Sequence, residues 1–330
     1  MANARQFMAA RTALWRKTGG LAPEYDGPLT FFAEEPNASV QLTAVGAPPE
    51  VTLLTSVDGG STWTPYTVGE AIPLPSVGNT VMFKAGDGGN VRMSTSSSNY
   101  HKFVLVGAVA ARGNINSLLD GKDYRLVDKI EKIYCYCYMF SDCTSLTTAP
   151  ELPATTLANS CYRYMFSGCT SLTTAPALPA TTLPLSCYFG MFRGCTSLTT
   201  EPELPATTLA ISCYCEMFRG CTSLTTAPAL PATTLLMSCY YGMFRDCTSL
   251  TTAPELPATT LVETCYRDMF SGCTSLKTIT VRHAAWSPPN ATINWVNDVP
   301  VVGTFYKPSA LPETFGSNNI PTGWTVVNID

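Results

Sequence analysis

"CTSLTTAPALPATTL" fills Cys169–Leu183 and returns letter for letter at Cys221–Leu235, with near-copies beginning at Cys143, Cys195 and Cys247. Cysteines fall at 161, 187, 213, 239 and 265 and again at 169, 195, 221, 247 and 273, always 26 residues apart. An incomplete first copy supplies Cys135 and Cys143. A fixed period between about 20 and 50 residues marks a stack of units, each of which buries its apolar face only against its neighbours.

Inside one unit, Cys161, Met165 and Phe166 lie at i, i+4 and i+5, and Phe166 to Cys169 is i+3, which predicts one apolar face of a short helix. Gly168 stands where a left-handed helix cap would sit, and Thr181–Thr182 stand where they would cap the next helix. Pro176 and Pro179 exclude helix between them and suit a short strand or an extended edge. The predicted unit is a short strand, a turn, a short helix and a return. Strands stack about 4.8 Å apart, whereas packed helices need roughly 8–10 Å. Such a column bends, with its helices outside.

These residues resemble the leucine-rich repeats of the BspA-like family (Treponema pallidum type). The family's F-x-G-C-T-S-L-T pattern is met by "MFSGCTSLTTAPALP" at Met165–Pro179, and the sixth copy, "CTSLKTITV" from Cys273, carries its strand. The resemblance implies Leu276, Ile279 and Val281 as that strand's inward set. It covers roughly Cys135–Val281 and speaks for a fold, much less for any function. The five full copies replace the family's first strand isoleucine with Ala149, Ala175, Ala227, Ala253 and, in the third copy, Glu201. A glutamate does not enter a closed core unpaired, so this column is predicted to be partly open, with the neighbouring prolines packing instead.

Ahead of the repeats, "SVQLTAV", "VTLLTSV", "TVMFKAG" and "HKFVLVG" alternate or run apolar between clusters of Gly, Pro, Asn and Asp, which predicts a β-sandwich. The expected fold is thus multidomain: an all-β sandwich followed by an α/β leucine-rich-repeat solenoid with 26-residue units. Residues 1–24 read as a leader or docking helix and 25–107 as the sandwich. Residues 108–134 read as an N-terminal cap, 135–281 as the solenoid and 282–330 as a C-terminal cap. The last segment holds Trp286, Trp295 and Trp324, bulky enough to close an open end. Its "GTFYKPSALPETFGSNNIPTGWTV" also resembles the C-terminal segment of leucine-rich-repeat proteins from gut bacteria and their phages.

Composition narrows the function. The chain has 330 residues, 45% hydrophobic and 13% charged, with a net charge of −4. That balance lacks the basic footprint of a nucleic-acid binder. No run reaches the ~18 apolar residues of a membrane span, and "MANARQFMAARTALWRKTGG" lacks the apolar stretch of a secretory signal. His101 and His283 stand beside no nucleophile signature, and no Walker loop, dinucleotide fingerprint or H-E-x-x-H occurs. The expectation is no enzyme and no cofactor.

Within a copy the paired cysteines are eight apart, far from zinc-type spacing, so they are expected as buried structural thiols and no metal is assigned. "CYC" at Cys135–Cys137 and Cys213–Cys215 adds two off-pattern cysteines, expected to be more exposed. "SVDGGSTW" at Ser56–Trp63 has the Asp-box pattern, a hairpin whose Asp side chain holds the turn, and the expected role is structural.

Most of what differs between copies falls in three columns. The first holds Cys137–Tyr138, Arg163–Tyr164, Phe189–Gly190, Cys215–Glu216, Tyr241–Gly242 and Arg267–Asp268. The second holds Ala158–Asn159, Pro184–Leu185, Ala210–Ile211, Leu236–Met237 and Val262–Glu263. The third holds Ser141, Ser167, Arg193, Arg219, Arg245 and Ser271. An outer stripe rich in Arg, Tyr and Phe has the composition of binding hot spots, although solvent-facing positions also drift when nothing constrains them. The candidate binding residues are Tyr138, Arg163, Tyr164, Phe189, Arg193, Glu216, Arg219, Tyr241, Arg245, Arg267 and Asp268. A repeated Thr ladder (Thr147–Thr148, Thr173–Thr174 and onward) either meets a regular ligand such as a glycan or solvates an edge.

The leader carries Arg5, Arg11, Arg16 and Lys17 among Phe7, Met8, Leu14 and Trp15, a pattern for docking on a larger assembly or for a flexible tail. These features converge on a binding or adhesion protein. The expected setting is a phage virion surface, attaching to a bacterial surface glycan or protein, with other virion proteins met through the N-terminus. A bacterial cell-surface adhesin and a virion decoration without a ligand are the alternatives. A homo-oligomer is compatible with either.

Overall fold

The computed structural model describes residues 27–329; the predicted leader lies outside them. Eight strands precede the repeats: β1 (Leu29–Ala33), β2 (Ala38–Val45), β3 (Leu53–Ser56), β4 (Thr64–Tyr66), β5 (Ala71–Leu74), β6 (Thr80–Ala85), β7 (Tyr100–Val106) and β8 (Val109–Arg112). The four runs read from alternation are β2, β3, β6 and β7; the remaining strands have three to five residues. One sheet has the order β4-β3-β6-β1-β8 and continues to a ninth strand, β9 (Leu146–Thr148), and the other has the order β5-β2-β7. Leu29, Phe31, Val40, Leu42, Val81, Phe83 and Phe103 of both sheets form one buried core. Tyr66 ties the sheets together: the Leu42 N–H donates to its hydroxyl at 2.9 Å, and that hydroxyl donates to the Glu70 carbonyl at 2.6 Å.

β9 (Leu146–Thr148) belongs to the first repeat and pairs parallel with β8, so the sheet runs on into the repeats. Phe103 of β7 repeats the role of a repeat phenylalanine. Its ring stacks on Phe140 at 5.3 Å, its N–H reaches the Met139 carbonyl at 2.8 Å, and its carbonyl accepts from Cys143 Sγ at 3.1 Å. The first coil therefore rests on a β-strand that, at Phe103, makes the contacts of a preceding coil.

The repeats themselves correct the helical expectation. No α-helix occurs among the described residues. The Cys161–Cys169 segment is a run of tandem turns in which the N–H donors alternate. Those of Cys161, Arg163, Met165, Ser167 and Cys169 bond the carbonyl three residues back, at 3.1–3.3 Å. Those of Ser160, Tyr162, Tyr164, Phe166 and Gly168 bond Leu185, Cys187, Phe189, Met191 and Arg193 of the next coil, at 2.7–3.1 Å. An α-helix commits every N–H to the residue four back, leaving none for a neighbour. Ser160, Tyr164 and Gly168 take φ of 56°, 52° and 76°, and the equivalent positions of the other copies are also positive. A left-handed residue every fourth position turns Cys161, Met165 and Cys169 inward, and that spacing imitates a helical period. Gly168 is left-handed as read but ends no helix. Thr181–Thr182 cap none, and Thr182 instead bridges Thr208.

Backbone bonding on this flank removes the cause of the predicted bend. Phe166 stacks on Phe192 at 5.7 Å and Tyr162 on Tyr188 at 6.0 Å, closer than the roughly 8–10 Å of packed helices. Two aromatic files run through the coils, Phe103 to Phe270 and Tyr136 to Tyr266, and both end on Trp295, at 6.1 and 6.4 Å. On the opposite flank, regular strand pairing among the repeats is confined to β9 and β10 (Thr278–Thr280) at the two ends. Between them only isolated bridges such as Thr174–Thr200 form, because the prolines that follow lack donors. Glu201 is half-buried and accepts from Thr226 Oγ1 at 3.1 and 3.3 Å. Ala149, Ala175 and Ala227 are half-buried too, so the column is partly open, closing only at Ala253.

The stack continues past the last recognisable copy. β10, β11 (Thr304–Lys307) and β12 (Thr325–Asn328) pair in parallel, with Thr278 opposite Thr304 and Thr304 opposite Thr325. The N–H groups of Tyr266, Asp268, Phe270 and Gly272 bond the carbonyls of Ala291, Ile293, Trp295 and Asn297 at 2.8–2.9 Å. Asn294 and Asp298 carry the positive φ, 54° and 58°. Residues 290–298 are thus a further coil with the backbone of a repeat and none of its side-chain motif.

His283 lies in this end region, fully buried and edge-on to Trp286 at 5.0 Å, with neither ring nitrogen hydrogen-bonded. Burial lowers its pKa from 6.5 to about 4. Below pH 6.5 the unfolded chain takes up this proton before the folded one does, so stability is complete above 6.5 and declines as pH falls towards 4. The loss attributable to His283 is about 3 kcal/mol. Denaturant titrations across that window are expected to show the decline in the native chain and a shallower one in His283→Leu. Burial also lowers the His101 pKa, which leaves a residual slope.

Candidate binding surface

All fourteen cysteines are buried free thiols. Cys169, Cys195, Cys221, Cys247 and Cys273 each donate Sγ–H to a phenylalanine carbonyl of the preceding coil at 3.1 Å. Cysteine suits this place because it is small, apolar enough for full burial, and carries one weak donor. Burial raises the thiol pKa, to about 12 for Cys195, which keeps the sulfur protonated and unreactive. Cys137 and Cys215 depart from expectation: they are 0% and 4% exposed. They share their position with Arg163, Phe189, Tyr241 and Arg267, and being shorter they stay covered where those longer side chains reach the surface. No group of three His, Cys, Asp or Glu side chains among the described residues is placed to hold a metal.

The Asp-box segment holds as a turn. Asp58, between β3 and β4, accepts from the Thr62 N–H at 2.9 Å, from Thr62 Oγ1 at 2.6 Å and from Ser56 Oγ at 2.6 Å. Those bonds hold its carboxyl well below the usual range. Trp63 closes the loop by donating to the Gly60 carbonyl at 3.0 Å, with Lys84 Nζ 4.1 Å above its ring.

The variable stripe lies on the turn flank and is knitted from coil to coil. Tyr138 stacks on Tyr164 at 5.1 Å, and Tyr164 meets Phe189 edge-on at 5.3 Å. The Arg163 guanidinium sits 3.9 Å from the Phe189 ring centre. Tyr100 of β7 extends the file by stacking on Tyr138 at 4.8 Å, a member that no repeat pattern marks in the sequence. Further along, Glu216 takes Arg193 at 3.1 Å and Arg219 at 2.7 Å, and Asp246 takes Arg219 and Arg245 at 3.7 and 3.6 Å. Arg267 pairs with Asp268 at 3.5 Å and lies 5.8 Å from the Tyr241 ring centre. The structure therefore joins the candidate residues into one aromatic group, one charged chain from Arg193 to Asp246, and a separate Tyr241–Arg267–Asp268 cluster. Glu216 and Asp268, at 9% and 7% exposure, are buried beneath the arginines rather than displayed.

Neighbouring coils are matched in shape. Gly190 has φ 58°, and a Cβ there would overlap the Tyr164 ring. Gly190→Ala is expected to cost about 1–3 kcal/mol through the left-handed backbone alone, and more through the ring. Because the ring is the second cause, Tyr164→Gly should recover part of the loss. A double-mutant cycle by thermal unfolding measures that recovery.

A sequence-repetitive stack of short coils, stapled backbone to backbone around leucine, phenylalanine and cysteine files, is a leucine-rich-repeat protein. The BspA type leucine-rich-repeat region, six copies long, matches residues 122–200 and 185–287, and the chain belongs to that family. Comparison with curated proteins and with solved structures returned no match. No helix among the described residues is long and apolar enough to cross a membrane.

Proposed function

We propose that this chain is a non-enzymatic adhesion protein: a β-sandwich carrying a solenoid whose turn flank displays the variable stripe. We further propose that it works as a phage virion component, attaching to a glycan or protein of the bacterial surface, with its N-terminal segment meeting other virion proteins. The observation that carries the reading is the concentration of aromatic and arginine variation on one flank. "CTSL" is the same in all six copies, while aromatic and arginine side chains vary along one flank. Free drift would scatter residue types, whereas Tyr100, Tyr138, Tyr164, Phe189 and Arg163 form one continuous, half-exposed group. Family membership supports a surface or protein-interaction role in the coarser sense.

Attachment of the purified protein to a panel of intact bacterial cells and to a glycan array is the test. Phe189→Ala with Tyr241→Ala is expected to weaken binding by about 30-fold or more, the value of a single hot spot. Undiminished attachment by a folded double variant removes the stripe as the binding site.

A further inference from the structure

Charge is unevenly placed along the repeats. Between Thr144 and Thr264 every lysine or arginine lies in a turn segment: Arg163, Arg193, Arg219 and Arg245. The segments between the turns hold none and carry Glu151, Glu201, Glu203, Glu255 and Glu263. The turns themselves set only two carboxylates, Glu216 and Asp246, against those four arginines. Glu216 lies beneath its partners: its side chain is 11% exposed, against 41, 26 and 35% for Arg193, Arg219 and Arg245. In a chain of net charge −4, the stripe therefore presents positive charge outward.

Three of the arginines form a ladder. The N–H groups of Gly168, Gly194 and Gly220 bond the carbonyls of Arg193, Arg219 and Arg245 at 2.7–2.8 Å. This sets the three at one position on successive coils, about 5 Å apart. Arg163 leans from the preceding coil onto Phe189 and pairs with no carboxylate among the described residues. A guanidinium has five N–H donors and one carboxylate engages two of them, so the internal ion pairs leave donors for a further anion. The rings reinforce this charge rather than forming an open platform. Tyr138 is stacked on both sides, by Tyr100 at 4.8 Å and by Tyr164 at 5.1 Å, and Arg163 lies over Phe189. A neutral sugar is held against an aromatic side chain through an open ring face. Stacked rings turn their edges outward instead, and the edge is the positive part of the ring quadrupole.

We propose that the stripe takes a linear anionic glycan, laid along the stack with successive acidic groups on Arg193, Arg219 and Arg245 and with Arg163 at the end of the row. This rests on the stripe being the attachment site and adds the chemistry of its ligand. The carboxylates of a uronic-acid polymer and the phosphates of a polyol-phosphate polymer offer the same paired acceptor oxygens to a guanidinium fork. In both, the acid recurs with every monomer, as the guanidinium recurs with every coil.

Binding of the purified full chain to immobilised polygalacturonate, poly(glycerol phosphate), neutral dextran and single-stranded DNA tests it. Arg163→Gln and Arg245→Gln leave no buried carboxylate unpaired, since Asp246 is half exposed and keeps Arg219. One or both acidic polymers should be bound at least about tenfold more tightly than dextran or DNA, with affinity falling as salt rises. Their relative affinities separate carboxylate from phosphate. The two substitutions together should weaken this binding by about tenfold or more, with an unchanged thermal transition. Equal binding to dextran or to DNA, or indifference to the substitutions, overturns the proposal. So does a chain that binds neither acidic polymer. If that chain still attaches to cells through Phe189 and Tyr241, the stripe stands as the attachment site and only the charge of its ligand is refuted.

Discussion

Excising residues 213–238 is expected to leave a folded protein one coil shorter. The cut joins Ser212 to Cys239, each standing where its equivalent stands in every other copy, so the alternating donors of one coil still meet the carbonyls of the next. Gly190 then faces Gly242, and Arg193 takes the place of Arg219 beside Asp246, so neither clash nor orphaned charge results. Unit interchange of this kind follows from a stack whose stability sums nearest-neighbour terms. Removing 213–225 instead, half a coil, is expected to abolish folding. It sets turn against extended flank and leaves buried N–H groups without partners. Circular dichroism and a cooperative thermal transition, present in the first variant and absent in the second, check the pair.

Phe218→Ala is expected to cost about 3–5 kcal/mol, the range for a phenylalanine removed from a closed core. Phe218 is fully buried and stacks at 5.7 Å on both Phe192 and Phe244. Its loss weakens two coil interfaces at once, and a chain stable by about 5–15 kcal/mol would come near its limit. Because contact is carried from coil to coil, the transition is also expected to split, with the two sides of the gap melting separately. Phe315→Ala provides the control: that ring is 49% exposed and its removal should stay within about 0.5 kcal/mol. Denaturant titration with tryptophan fluorescence, in a Trp15→Phe, Trp63→Phe background, reports the C-terminal side, where Trp286, Trp295 and Trp324 lie.

The period, the inward set and the family were legible in the sequence because identical residues face identical neighbours in every coil. The helix was misread because apolar residues four apart satisfy two geometries. Cys161, Met165 and Cys169 turn inward in a helix and equally in tandem turns with a left-handed residue every fourth place. The discriminating sign was present in Asp142, Gly168, Gly194, Gly220, Asp246 and Gly272, residue types that tolerate positive φ, four after another tolerant position in several copies. The coil at 290–298 escaped notice because it keeps only that backbone rhythm, through Asn294 and Asp298, and none of the Cys-Thr-Ser-Leu motif. Phe103 escaped because it reaches the aromatic file from a strand of another sheet. On the candidate surface, outward position was readable from the columns that vary. The burial of Glu216 and Asp268 was not, since it arises from arginines one coil away.

The repeats share one continuous interior, and every sulfur within it is a packed thiol. Titration of the full chain with a thiol reagent, without reductant, before and after denaturation, tests this most directly. The expected result is no reaction while the chain is folded, and fourteen thiols released together on unfolding. Fewer than fourteen in the denatured chain, or several reacting at once in the native one, would contradict it.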